Sequence, residues 1–145
     1  MNQQCMIPVV KTLTDYQAYR ISPDDTNRLA IIFDPNSAND SVTVCVEIFE
    51  VGSQTPPHRH NFAVEMFFIL KGEGIAVCDG KETSLRAGDS VLMPKKGTHY
   101  LKNTGNDRLY ALCMMVPNEN FSELIRNGIP APLDEQDLKV LSRIN

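Results

Sequence analysis

A chain of 145 residues is the size of one ordinary domain, and with no linker-like tract it reads as a single core with appendages. Its 42% hydrophobic and 22% charged residues exclude a disordered, collagen-like or coiled-coil chain. A net charge of −4, with Lys95-Lys96 too short a basic run to matter, argues against a nucleic-acid partner.

Met1 to Val10 lacks the apolar run of a secretory leader, and no stretch approaches the ~20 apolar residues of a membrane span. A cytoplasmic protein without membrane contact is expected. Cys5, Cys45, Cys78 and Cys113 show no CxxC spacing, so in a reducing cytosol they are expected as free thiols packing like small hydrophobes.

Residues 1–28 form an N-terminal extension in which Tyr16, Tyr19 and Arg20 can pack on the domain or reach a partner subunit. From Leu29 to Val116, runs rich in Val, Ile, Phe and Leu alternate with Gly, Asn and Asp, the pattern of an all-β sandwich or barrel. The spacing predicts strands over Leu29–Phe33, Val42–Val51, His58–His60, Glu65–Leu70, Ile75–Cys78, Glu82–Leu85, Ser90–Met93, His99–Asn103 and Leu109–Met115. Asp79-Gly80 fits a two-residue hairpin, because both residue types tolerate the positive φ it needs. Gly72, Gly88 and residues 104–107 mark further turns.

Residues 117–145 form a C-terminal segment that changes to helical period. Asn118 is the expected cap of a short helix carrying Phe121, Leu124 and Ile125 and stopped by Gly128. A second helix is expected over Glu135–Arg143, capped by Asp134, with Leu138, Leu141 and Ile144 on one face. Ile129-Pro-Ala-Pro between them reads as a rigid elbow. The segment can fold over the barrel mouth as a lid or pack on the outside.

The chemistry is concentrated in three histidines. In His58-Arg59-His60 the two imidazoles fall on one face of an extended chain, roughly 7 Å apart at Cα, which suits two ligands of one ion. Glu65 follows at odd offset, so a bend near Asn61-Phe62-Ala63 must turn it to the same side if it joins them.

Gly52, His58, His60, Glu65 and Gly72 stand at the spacing G(X)5HXH(X)4E(X)6G, and this resembles the first motif of the cupin family at every fixed position. Gly88, Pro94, His99 and Asn103 resemble the second, G(X)5PXG(X)2H(X)3N, except that the glycine after Pro94 is displaced by one, to Gly97. The resemblance implies a double-stranded β-helix, the cupin or jelly-roll barrel, over residues 29–116 with short C-terminal helices. It also implies one divalent transition-metal ion held by His58, His60, Glu65 and His99.

Three imidazoles and a carboxylate suit Fe, Mn, Ni, Cu or Zn without choosing among them. Phe67, Ile69 and Leu101 share strand parity with Glu65 or His99 and are expected to line the pocket. Asn103 is read as structural. Glu65, loosening from the ion, is a possible catalytic group, and Tyr110, Cys45 and Glu47 are further candidate bases. An enzyme acting on a small organic acid or carbonyl compound is expected, with the dioxygenase-like oxidation of its cupin relatives favoured. The alternatives are a metal-dependent isomerase or decarboxylase, or a cupin that binds a metal and small molecule without turnover. Met66, Phe68 and Leu70 point outward, and covering them favours a homodimer.

Overall fold

A computed structural model describes residues 6–143, and in them the alternating apolar pattern folds as two antiparallel sheets with three short helices. The larger sheet holds β1 (Gln17–Arg20), β2 (Arg28–Phe33), β3 (Thr43–Phe49), β4 (Val64–Lys71), β7 (Ser90–Met93), β9 (Leu109–Val116) and β10 (Ile129–Pro130). The smaller holds β5 (Glu73–Cys78), β6 (Lys81–Arg86) and β8 (His99–Asn103). Their orders are β10-β1-β2-β3-β9-β4-β7 and β6-β5-β8, an all-β jelly-roll barrel. The helices are α1 (Pro35–Ala38), α2 (Phe121–Arg126) and α3 (Glu135–Ser142).

Side chains that point inward along each strand make one core. Leu29, Phe49, Ile69, Leu101, Leu109 and Met115 are each no more than 1% exposed, and burial of such a side chain stabilises the fold by about 1.5–3 kcal/mol. Register sets what meets inside: Leu29, Glu47, Ala111 and Ile69 form one row, and Thr43, Met115, Glu65 and Met93 another. Asn103 closes a corner, its Nδ2 donating to the carbonyls of Phe49, Glu50 and Asp107 and its Oδ1 accepting from Gly105 N–H. That is the structural task expected of it.

Several elements differ from expectation. His58–His60 is no strand: His58 makes a single bridge to His99, and Pro56-Pro57 just before it lack the N–H groups that would extend the pairing. Strand β3 ends at Phe49, where Glu50 O accepts from Ser53 N–H and Gly52 turns at φ 78°. Gln17–Arg20 and Ile129–Pro130, expected as extension and elbow, pair with each other and carry the large sheet outward from β2. Helix α2 is preceded by Asn120 at φ 63° rather than by Asn118, whose Oδ1 still accepts from Ser122 N–H at 3.0 Å. Asp134 caps α3 in a reciprocal box with Asp137. Ile144 and Cys5 lie outside the described residues; Cys45, Cys78 and Cys113 are free thiols.

The outward residues of β4 meet two fates. Leu70 packs with Val46, Ile48 and Tyr110 beneath Leu133, Val140 and Leu141 of the α3 region. Phe68, and Leu92 on β7, stay 37% and 58% exposed.

Candidate metal centre

His58 and His60 sit in the loop between β3 and β4, Glu65 on β4 and His99 at the start of β8. The chain bends at Asn61 and Phe62, and this reversal turns Glu65 toward the histidines. Each of the four residues offers a ligand atom, all within 4.8 Å of one another. Glu65 Oε2 is the hub, at 2.9 Å from His99 Nε2, 3.0 Å from His60 Nε2 and 3.7 Å from His58 Nε2. Glu65 and His99 are buried, and the side chains of His60 and His58 are 14% and 37% exposed, so the group opens on one side.

The ring nitrogens facing away decide what the inner ones can do. His58 Nδ1 lies 2.8 Å from Pro56 O and His99 Nδ1 lies 2.9 Å from Gly97 O. A carbonyl only accepts, so each Nδ1 carries a proton, and in the neutral imidazole this leaves the Nε2 lone pair directed inward. Behind His60, Nδ1 stands 3.6 Å from Glu119 Oε2, while Glu119 Oε1 accepts from the N–H groups of Asn61 and Phe62 at 3.1 and 2.9 Å. Glu119 Oε2 is buried with no hydrogen-bond partner among the described residues, which leaves it to the imidazole. Metal-binding imidazoles characteristically have such carbonyl or carboxylate partners behind them.

Three inward lone pairs and a carboxylate oxygen repel one another unless protons or a cation lie between them. Burial works to raise the Glu65 pKa, yet His58, His60, His99 and Cys113 hold it well below the carboxylate range. Burial also opposes charge on His58, but Glu65 and the Pro56 carbonyl outweigh it and raise its pKa. Cys113 Sγ donates to Glu65 Oε1 at 3.2 Å. Neighbouring Cys45 and burial push that thiol well above its ordinary value, so it remains a donor. The donor set, three nitrogens and one oxygen around a negative hub, fits a divalent ion.

A cavity of about 230 Å³ opens beside the group. Phe67, Leu29, Phe121 and Leu124 give it an apolar wall, and Asp25, Asn27, Glu47 and Thr55 are its polar members besides the candidate ligands. Phe67, on β4, lies in this wall. Ile69 and Leu101 instead fill the closed part of the barrel, buried among core side chains. Tyr110, a candidate base by sequence, points to the opposite face of β9, where its hydroxyl donates to Asp137 at 2.9 Å. Cys45 faces Cys113 across the β3–β9 ladder. Helix α2 thus contributes to the pocket while α3 packs on the outer face.

The displaced glycine of the second motif has a local solution. Lys96, where the family pattern has glycine, itself adopts φ 67°, and its N–H donates to His60 O at 2.7 Å. A Cβ at Gly97 would lie 2.7 Å from Cys78 Sγ, so the neighbouring glycine answers a steric demand.

These features define an antiparallel β-barrel with a His/His/Glu/His group at the edge of a small apolar pocket. Residues 45–115 match the family model of the cupin domain, and the chain belongs to the cupin superfamily. An uncharacterized protein of Methanocaldococcus jannaschii is 36% identical over 70 residues, 48% of this chain and 56% of that one. The oxalate-binding protein of Thermotoga maritima is 34% identical over 65 residues, 45% of this chain and 54% of that one. The chain thus spans little more than half the length of these relatives. A crystal structure of a predicted oxalate decarboxylase from Thermotoga maritima superposes with a TM-score of 0.68 at 24% identity, covering 75% of this chain and 99% of that one, a likeness of fold. Among the described residues no helix is long and apolar enough to cross a membrane.

Proposed function

We propose that the protein is a mononuclear metalloenzyme in which His58, His60, Glu65 and His99 hold one divalent transition-metal ion and a small organic acid or carbonyl compound binds beside it. The observation that carries this reading is the convergence of three Nε2 atoms on Glu65 Oε2 at the edge of the cavity. When bound, the ion would supply Lewis-acid polarisation of ligand oxygens and, where redox-active, electron transfer to dioxygen. The chain's own residues fix the imidazole tautomers, present the ligand atoms and exclude water with Phe67, Leu29 and Phe121.

Within this reading, oxygen-dependent oxidation of the dioxygenase type is the finer assignment, and a redox-silent ion would suit decarboxylation or isomerisation instead. The oxalate-binding relative favours a second reading, capture of a small acid without turnover. Exposed Phe68 and Leu92 support a homodimer, and the free thiols agree with a cytoplasmic setting.

Metal analysis of protein purified without added metal tests the centre: close to one ion per chain is expected, and a metal-free protein that takes up none on reconstitution overturns it. Oxygen uptake and carbon dioxide release with oxalate and other small acids then separate oxidation, decarboxylation and binding alone.

A further inference from the structure

Two buried polar side chains in the wall of the cavity, Glu47 and Asn27, are not fully satisfied by hydrogen bonds among the described residues. Glu47 is 3% exposed and stands in the row Leu29, Glu47, Ala111, Ile69, whose other members are apolar. A carboxyl buried there is costly unless something meets it. Burial, Glu65 and Asp25 all push its pKa well above the carboxylate range, and the nearby Asn27 amide, outside hydrogen-bond geometry, eases this only in part. Asp25, on the same wall, is itself raised by burial.

Asn27 is 1% exposed, and its Oδ1 accepts from Ser53 Oγ at 2.8 Å. Its Nδ2 is buried without a hydrogen-bond partner among the described residues, although both Asn27 and Glu47 line the cavity. A buried amide donor without a partner, beside a buried carboxyl in the same cavity wall, is an arrangement stabilised by a ligand oxygen that accepts from them.

We infer that Glu47 and Asn27 form a second recognition point, donating hydrogen bonds to a carboxylate or carbonyl at the end of the ligand remote from His58, His60, Glu65 and His99. The inference rests on the metal-centre reading and narrows its ligand: one end of the molecule chelates, and the other carries an oxygen acceptor. A cavity of about 230 Å³ lies below the roughly 300–1,000 Å³ of pockets for drug-sized ligands, so the molecule is small.

The test uses metal-loaded protein and two probes with the same 2-hydroxy-acid end, lactate and malate, of which malate alone carries a remote carboxylate. Calorimetric titration of the wild type should favour malate by roughly tenfold or more, the range of a buried hydrogen bond to a charged group. Glu47→Leu sets an apolar side chain in an apolar row and should fold at least as stably. It should keep its metal and its lactate affinity and lose the preference for malate. Glu47→Gln retains an N–H donor and most of the preference. Equal preference in wild type and Glu47→Leu, or none in the wild type, overturns the inference. So does a Glu47→Gln variant as impaired as Glu47→Leu, since a neutral hydrogen-bond donor at this position would then not sustain the preference. Metal assayed before titration separates the two failures: a wild type that holds no ion removes the metal-centre reading and this inference with it.

Discussion

Arg28 and Asp137, 109 residues apart in the chain, meet as a buried bidentate ion pair, Nη1 to Oδ2 at 2.6 Å and Nη2 to Oδ1 at 3.0 Å. Asp137 also accepts from Tyr110 and Arg108, so one carboxylate fastens α3 to β2 and β9. Removing one partner strands the other charge in a dry place. Asp137→Ala should destabilise the fold by about 3–5 kcal/mol, read as a lower urea midpoint. A midpoint within error of the wild type would show that α3 is not held this way.

Glu119 bears on metal affinity through His60. Glu119→Gln keeps an acceptor for the Asn61 and Phe62 N–H groups but removes the charge behind Nδ1. Competition with a chelator should show roughly tenfold to hundredfold weaker metal binding, with the circular dichroism spectrum unchanged. His99→Ala should lose the ion outright, and full metal content in that variant would exclude His99 as a ligand.

The ligand group also sets a pH response. In metal-free protein Glu65 lies below its ordinary 4.5, so its contribution is present above that value and lost as pH falls through the lower folded value. His58 lies above its ordinary 6.5, so its contribution is present below that value and lost as pH rises through the raised one. The two overlap between pH 4.5 and 6.5, where the cluster supports the metal-free fold most. Metal binding needs neutral imidazoles and strengthens as pH rises through the His58 value. Thermal melts should therefore show the metal-free protein losing Tm on the alkaline side of this window while the loaded protein gains. A metal-free Tm that climbs there would contradict the assignment.

Lys96 holds a left-handed conformation that costs a side chain about 1–2 kcal/mol, against roughly 0.4–1 kcal/mol for the greater freedom of glycine in the unfolded chain. Lys96→Gly should thus raise stability by about 0.5–1 kcal/mol in denaturant titration. A loss of stability would mean that the lysine side chain supports the turn.

Much of the barrel was legible because its strands alternate in hydrophobicity and its turns carry Gly, Asn or Asp. The ligand group was legible because four residue types stand at fixed spacing, and parity alone demanded the bend before Glu65. The edges were not. Gln17–Arg20 is short and half polar, and Ile129–Pro130 spans two residues, so neither carries a periodic signal. Glu119 could not be found by spacing, since its partner His60 precedes it by most of a barrel. Glu47 did leave a trace, the single charge in the apolar strand Thr43–Phe49, whereas Asn27 left none because its importance depends on a missing partner.

The cavity wall is drawn from two parts of the chain. The ligand group falls within residues 45–115, which match the cupin domain, whereas Ile21, Asp25, Asn27, Leu29, Phe121 and Leu124 come from outside that stretch. The four candidate ligands thus come from the matched stretch alone, whereas the pocket wall beside them is shared between that stretch, through Glu47 and Phe67, and the two flanks, laced together where β10 joins β1. Exchanging both flanks with those of another cupin would therefore change the pocket wall and, through Glu119, the support behind His60 together.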